Sequence, residues 1–251
     1  MTTSQYMEDR MEQARREVGK WMATSIGWIW FLNDPDPRDV NIIDIAVGLS
    51  RQSRYGGQFG VDVNGYSVSE HSRKMDEFLA RNVPKRMRDM GQKMMLEDRI
   101  EILLHDAPEH LFGDMITPVK AQFPNYKVFE NMHHQTVRSS FIRNLEGISI
   151  RPKEIKEIDI RIRADEREAI ILDPAKTLGR ERFEWVDDKD GEVVPLGVTI
   201  EGNMSPFECR IFLETFVEVV ETVPARLPEN GPEQNTSLRR HYVDACTHLG
   251  L

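Results

Sequence analysis

The sequence predicts an all-α helical bundle with one small β excursion, and three observations carry that prediction. Apolar residues recur at three- and four-residue steps through most of the chain, as they do on one face of a helix. Cap residues stand just before these runs: Asp36 with Pro37, Ser67 with Glu70, and Ser205 with Pro206. One stretch, 174–205, departs from the helical period. There Phe183-Glu184-Trp185-Val186 and Val193-Val194 flank the turn-forming Asp187-Asp188-Lys189-Asp190-Gly191, which places a hairpin near 183–200. With 251 residues the chain is long enough for one domain with embellishments. We divide it into an N-terminal arm over 1–27, a main domain over 28–223 that contains the 174–205 insertion, and a loosely attached tail over 224–251.

The elements follow in order. Residues 1–20 read as a polar helix or arm, and Trp28 to Leu32 as a short apolar patch. Asp36 caps a helix with Pro37 in its first position, running through Ile42, Ile43, Ile45, Ala46 and Leu49 to the glycines at 56 and 57. A polar loop reaches Tyr66. Ser67-Val68-Ser69-Glu70 then forms a capping box for a helix with Val68, Met75, Phe78 and Leu79 on its inner face. A third helix covers Gln92 to Ala107 and is ended or kinked by Pro108. Gly113 to Pro118 is a loop. Further helices cover Asn125 to Leu145, Pro152 to Leu172, and a final run through Phe212, Phe216 and Val219.

Composition narrows the function. The formal net charge of −9 sets the chain against phosphate backbones, so a nucleic-acid polymer is not the expected partner. A small nucleotide remains compatible, because a metal or local cations can reverse the field inside a cleft. Two cysteines, Cys209 and Cys246, make no disulfide framework, and a reducing cytoplasm suits them. The charged start of the chain lacks the apolar core of a signal peptide, and no stretch has the roughly 20 apolar residues of a membrane span.

Polar side chains inside apolar stripes carry the chemistry. Asp165 interrupts a stripe made by Ile155, Ile158, Ile162, Ala169 and Leu172. It is a metal ligand, or a carboxylate paired with Arg161 or Arg163, or the mark of a slightly rotated face. His71 lies on the inner face of the capped helix. His105-Asp106 closes the apolar run Ile102-Leu103-Leu104, and Glu109 follows at helical offsets that put it on the same cleft. Two imidazoles and two carboxylates suit zinc, manganese, cobalt or iron. His133-His134 reads as surface on a polar helix, and His110, His241 and His248 have no comparable setting. No Walker-type loop and no HExxH pair is present.

The order His71, His105-Asp106, Asp165 resembles the H…HD…D signature of the HD-domain superfamily of metal-dependent phosphohydrolases. The longer strings Tyr66 to Ser72, Leu103 to Glu109, Gly113-Asp114 and Thr117 to Lys120 resemble its YfbR-type 5′-deoxynucleotidases and the phage-encoded HD-domain dATP triphosphohydrolases. Asp44 to Ala46, Leu49 to Arg51 and Arg54 to Gly57 are similar to the phage branch, and the likeness covers about 28–223.

The resemblance implies an HD-domain bundle in which His71, His105, Asp106 and Asp165 hold a divalent ion (Zn, Co, Mn or Fe, with Mg also compatible). It implies that Glu109 orients or deprotonates the attacking water and that Asp114 lies near that water or the sugar 3′-hydroxyl. It also implies that Arg54 and Lys120 meet phosphate, with Tyr55, Gln58 and Thr117 lining the substrate site. Gln58 stands where phage relatives often have histidine, and Tyr55 where the nucleotidases have tryptophan. The expected activity is hydrolysis at the 5′-phosphate end of a 2′-deoxynucleotide, by a cytoplasmic homo-oligomer. A phosphodiesterase or signalling-nucleotide hydrolase, and a non-catalytic nucleotide-binding module, are the competing readings.

Overall fold

The computed structural model describes residues 2–82, 92–142, 152–172, 193–202, 204–221 and 236–251. The fold is mostly α, with one small antiparallel hairpin among the described residues. In chain order the helices are α1 (Thr3–Arg16), α2 (Ile42–Arg51), α3 (Val68–Arg81), α4 (Gln92–Leu104), α5 (Glu109–Phe112), α6 (Thr117–Lys120), α7 (Tyr126–Ile142), α8 (Pro152–Ile170), α9 (Glu208–Glu221) and α10 (Thr236–Leu249). The strands are β1 (Trp21–Ala23) and β2 (Ile29–Phe31), paired with Met22 opposite Trp30. No described helix is long and apolar enough to cross a membrane.

Among the described residues the hairpin sits at 21–31; the one expected near 183–200 falls largely outside the described residues. Residues 193–202 are irregular, and 173–192 lie outside the described residues. The local chemistry explains the N-terminal hairpin. Aromatic and β-branched residues flank a short turn in which Gly27 adopts φ +81°, a conformation open to glycine. The turn is pinned to α2 by Asp44, which accepts from Ser25 Oγ and from the Ile26 N–H at 2.9 Å.

Of the two readings of residues 1–20, the polar helix forms, as α1, and side chains tie it to the rest of the chain. Tyr6 Oη donates to Asp39 at 2.7 Å, and Arg10 pairs with both Asp34 and Asp39. The second helix starts later than expected: Asn41, not Asp36, is its cap, accepting from the Ile43 N–H at 2.8 Å. It ends at Arg51, before the glycines. On α2, Gly48 meets the backbone of His110 so closely that an added Cβ would lie 2.5 Å from the His110 Cβ. That contact brings α5, and with it Glu109, against α2.

One apolar core joins α2, α4, α7, α9 and α10 through residues such as Ile45, Leu49, Leu103, Val137, Phe212 and Phe216. The C-terminal segment belongs to it. Leu238, Ala245 and Leu249 are buried, so the expected loose tail over 224–251 is corrected for its described part. A second cluster, Met75, Leu79, Ile102, Ile158 and Ile162, packs α3, α4 and α8 together.

Candidate metal centre

Three chain segments converge where that second cluster meets solvent. The first is α3. Ser67 caps it by accepting from the Glu70 N–H at 3.0 Å, as the capping box requires, although the Glu70 carboxylate instead accepts from the Glu201 N–H at 2.8 Å. One turn in, His71 is fully buried. The second is the end of α4. The helix stops at Leu104 because Pro108 has no N–H to give the Leu104 carbonyl, which accepts from Ala107 at 3.0 Å instead. The tightened turn carries His105 and Asp106. The third is α8, discussed below.

His71, His105 and Asp106 form a group able to hold a metal ion, their ligand atoms lying within 4.8 Å of one another. The two imidazoles are prepared for it in the same way. His71 Nδ1 donates to Glu166 Oε1 at 2.6 Å, and His105 Nδ1 donates to the Ile102 carbonyl at 2.6 Å. Both Nε2 atoms are buried without a hydrogen-bond partner. Fixing Nδ1–H leaves an Nε2 lone pair, the form a metal takes. His105 Nε2 is 3.2 Å and His71 Nε2 is 3.8 Å from Asp106 Oδ2. Without a metal a proton can take the place of the ion on Nε2; His105 so charged, then Arg54 and His71, outweigh the burial that opposes the Asp106 charge and hold the carboxyl well below its usual range.

The fourth expected ligand, Asp165, is elsewhere. Its carboxylate accepts backbone N–H groups of Leu196, Gly197 and Val198 at 2.7, 2.9 and 3.2 Å. Of the three readings the slightly rotated face describes it: Arg161 donates to the carbonyls of Val194 and Pro195, and Arg163 to Asp159. The carboxylate that α8 does bring to the centre is Asp159, whose Oδ1 is 3.6 Å from His71 Nε2. Its Oδ2 pairs with Lys156 and Arg163, both at 2.6 Å. Burial raises the Asp159 pKa, but Arg163, His71 and Lys156 overcome that and lower it strongly.

The buried face of α8 is rotated from the stripe that the apolar spacing suggests. Ala169 and Leu172 are exposed, so the buried stripe is Ile158, Ile162, Glu166 and Ile170, with Asp159 beside it. Steps of four from Ile158 reach Glu166, whereas a step of three from Ile162 leads to Asp165. Asp159 and Glu166 are seven apart, and at about 100° per residue they differ by only about 20° around the helix. Two buried imidazole nitrogens without partners, with Asp106 and Asp159 alongside, form a donor set that fits a borderline divalent ion.

Glu166, unnoticed in the sequence, is the hub behind the metal group. It is fully buried, and besides His71 it accepts from Tyr66 Oη at 2.8 Å and from Tyr55 Oη. Burial works against its charge, yet Arg54 and His71 hold its pKa down to about 2. Arg54 and Tyr55 come from a 3-10 turn, Arg54–Gly57, clamped to the start of α3 by Arg54 N–H to Tyr66 O at 2.9 Å and Val68 N–H to Gln52 O at 3.0 Å. Buried Arg54 places Nη1 3.1 Å from Asp106 Oδ2. Tyr55 has φ +55°, the left-handed region, and its N–H donates to Asp114 Oδ2 at 3.2 Å.

Glu109 is buried beside this group, with Oε2 unpartnered and Lys120 Nζ 3.4 Å from Oε1. Burial, Asp106 and Asp114 raise its pKa well above the ordinary carboxylate value, against Arg54 and Lys120. Lys120 also donates to Glu130 at 2.6 Å. Gln58 and Thr117 are exposed, and Gln58 makes a 3.5 Å contact to the Gly56 carbonyl. His133, expected at the surface, is instead fully buried and accepts from Trp30 Nε1 at 3.0 Å.

No family model matches the chain. Over 90 residues it is 48% identical to an uncharacterized protein of Rhodobacter capsulatus, a match covering 36% of this chain and 41% of that protein. Over 135 residues it is 30% identical to the uncharacterized protein YfdR of Escherichia coli, covering 54% of this chain and 64% of YfdR. Each match thus spans less than two thirds of the relative's length.

Proposed function

We propose that the chain is a metal-dependent phosphohydrolase acting at the 5′-phosphate end of 2′-deoxynucleotides. The observation that carries this reading is the pair of tautomer-fixed imidazoles, His71 and His105, with unpartnered Nε2 atoms beside Asp106 and Asp159, next to a buried Glu109 and a buried Arg54. Zinc, manganese, cobalt or iron suits that donor set best, and magnesium is the remaining candidate. When bound, the ion supplies Lewis acidity to a phosphoryl oxygen and to water.

The protein's own groups divide the remaining work. Arg54 presents a planar guanidinium that matches phosphate oxygens, and Asp106, its present partner, is the group a metal would share. Glu109 is the proton acceptor for the attacking water, buried beside Asp106 with Oε2 unpartnered. Asp114 fixes the backbone of Tyr55. The Tyr55 ring forms an apolar wall against the sugar. A 2′-hydroxyl buried there without a partner costs about 1–3 kcal/mol, which favours deoxynucleotides roughly 5- to 150-fold.

The test is a metal-reconstituted protein assayed side by side on dAMP, dATP, AMP and ATP, with release of phosphate, pyrophosphate and triphosphate measured separately. Hydrolysis of a deoxy member that disappears with chelator and returns with one of these metals is the expected result. Absence of turnover with every metal would refute the hydrolase reading, and equal kcat/KM for ribo and deoxy members would refute the sugar argument.

A further inference from the structure

We propose that Glu166 is the positioning residue of this centre: a single buried carboxylate holds His71 in the orientation that aims Nε2 at the metal and, through Tyr55, ties the substrate-facing turn to the same point. The second half of the proposal rests on the phosphohydrolase reading, whereas the first rests on the metal group alone.

The sequence position of Glu166 calls for an apolar residue. It lies between Ile162 and Ile170 at steps of four, on the face that α8 buries. A carboxylate there is costly unless donors surround it. Three do, His71 Nδ1 at 2.6 Å and Tyr66 Oη at 2.8 Å on Oε1 and Tyr55 Oη on Oε2, and the Arg54 guanidinium adds a positive charge with Nε 3.6 Å from Oε1. These donors come from the turn, from the residue before the α3 cap, and from α3 itself, so Glu166 fastens α8 to three successive pieces of one segment.

Each contact constrains something the site needs. The bond to His71 fixes ring rotation and tautomer together, leaving Nε2 without a partner. Tyr55 holds a left-handed backbone conformation that a tyrosine adopts only under constraint. Its backbone N–H is held by Asp114 and its hydroxyl by Glu166, so both the backbone and the far end of the side chain are fixed. The face of the Tyr55 ring is therefore set relative to His71 Nε2 by one shared anion.

The experiment is calorimetric titration of the metal-free protein with Zn²⁺ and with Mn²⁺, on wild type, Glu166→Gln, Tyr66→Phe, Tyr55→Phe, His71→Ala and the double variant His71→Ala/Glu166→Gln. Circular dichroism establishes that each is folded. Glu166→Gln is expected to weaken metal binding about 10- to 100-fold. Tyr66→Phe and Tyr55→Phe each remove a hydrogen bond to the same carboxylate without touching His71, and should leave metal affinity within about threefold. The double variant should bind no more weakly than His71→Ala alone, because Glu166 acts through His71.

Wild-type affinity in Glu166→Gln, or a full additional loss in the double variant, overturns the first half. Glu166→Asp, which keeps the charge but retracts it by one methylene, serves in its place if the glutamine variant does not fold, with the same expected weakening. For the second half, Tyr55→Phe should raise the nucleotide KM about 3- to 10-fold with little change in kcat, the loss expected for one hydrogen bond. An unchanged KM overturns it. If no nucleotide is turned over, the phosphohydrolase reading and the second half fall together, while the metal titrations still decide the first.

Discussion

Asp159 and Asp165 lie on the same helix, and they separate two kinds of residue effect. Asp159→Asn should weaken metal binding strongly, since its Oδ1 faces His71 Nε2. Asp165→Asn should leave metal affinity unchanged and lower stability by about 1–3 kcal/mol through its three backbone hydrogen bonds. Metal titration and urea denaturation of the two variants check both, and the opposite pattern would restore Asp165 as the ligand. Glu109→Ala should retain metal while turnover falls about 100-fold or more, the loss expected for a proton acceptor. Single-turnover kinetics at saturating metal measure that loss directly. At this scale the sequence showed much: His71, His105, Asp106, Glu109, Arg54 and Tyr55 all lie together. Asp159 was hidden because it flanks the apolar stripe, and Glu166 because the stripe was followed with a step of three where α8 takes four.

Between elements, the docking of the hairpin on α7 depends on a neutral histidine. Trp30 Nε1, on β2, donates to His133 Nδ1, so a proton there would set donor against donor. Burial, reinforced by His110 and opposed by the Leu32 carbonyl, lowers the His133 pKa from 6.5 to about 4. The unfolded chain therefore takes up this proton first as pH falls. The stability His133 contributes is present above pH 6.5 and is lost progressively towards pH 4. Measured as the stability difference between wild type and the non-titrating His133→Gln, it should shrink across that window, and a pH-independent difference would contradict it. The hairpin itself carried a readable signal, Gly27 within a run of Trp and Ile. The patch at Trp28 was not paired with Trp21 because the preceding residues read as a polar arm. The Ser67 cap is legible because it is local, whereas Glu70, held by the distant Glu201 N–H, does not complete the box. The start of α2 is ambiguous in the sequence because Asn41 competes with Asp36 as a cap, and the flanking apolar run does not choose between them.

Across the whole molecule, the ends of the chain are structural. The C-terminal helix buries Leu238 and Leu249, stacks His241 on Phe141 with ring centroids 3.9 Å apart, and donates from Arg240 to the Val40 carbonyl at 2.8 Å. Losing one buried leucine costs about 2–5 kcal/mol. Removing residues 236–251 should therefore unfold or aggregate the protein, as solubility and far-ultraviolet dichroism would reveal; a folded truncated chain with an unchanged urea midpoint would return this segment to the status of a tail. Sequence composition, rich in Pro, Gly and Asn before the helix, concealed its amphipathic face. The segment 193–202 shows a different kind of attachment. It pairs with no strand among the described residues, but Asp165, Arg161, Glu70 and Lys74 hold its backbone and the Glu201 side chain. Its amides should thus exchange with deuterium like those of a secondary-structure element, although the segment is irregular. Leu196, Gly197 and Val198 should exchange slowly in the wild type and rapidly in Asp165→Asn, while Glu201, held by Glu70, keeps its protection. A side chain would then be seen to do for three amide protons what a neighbouring strand does in a sheet.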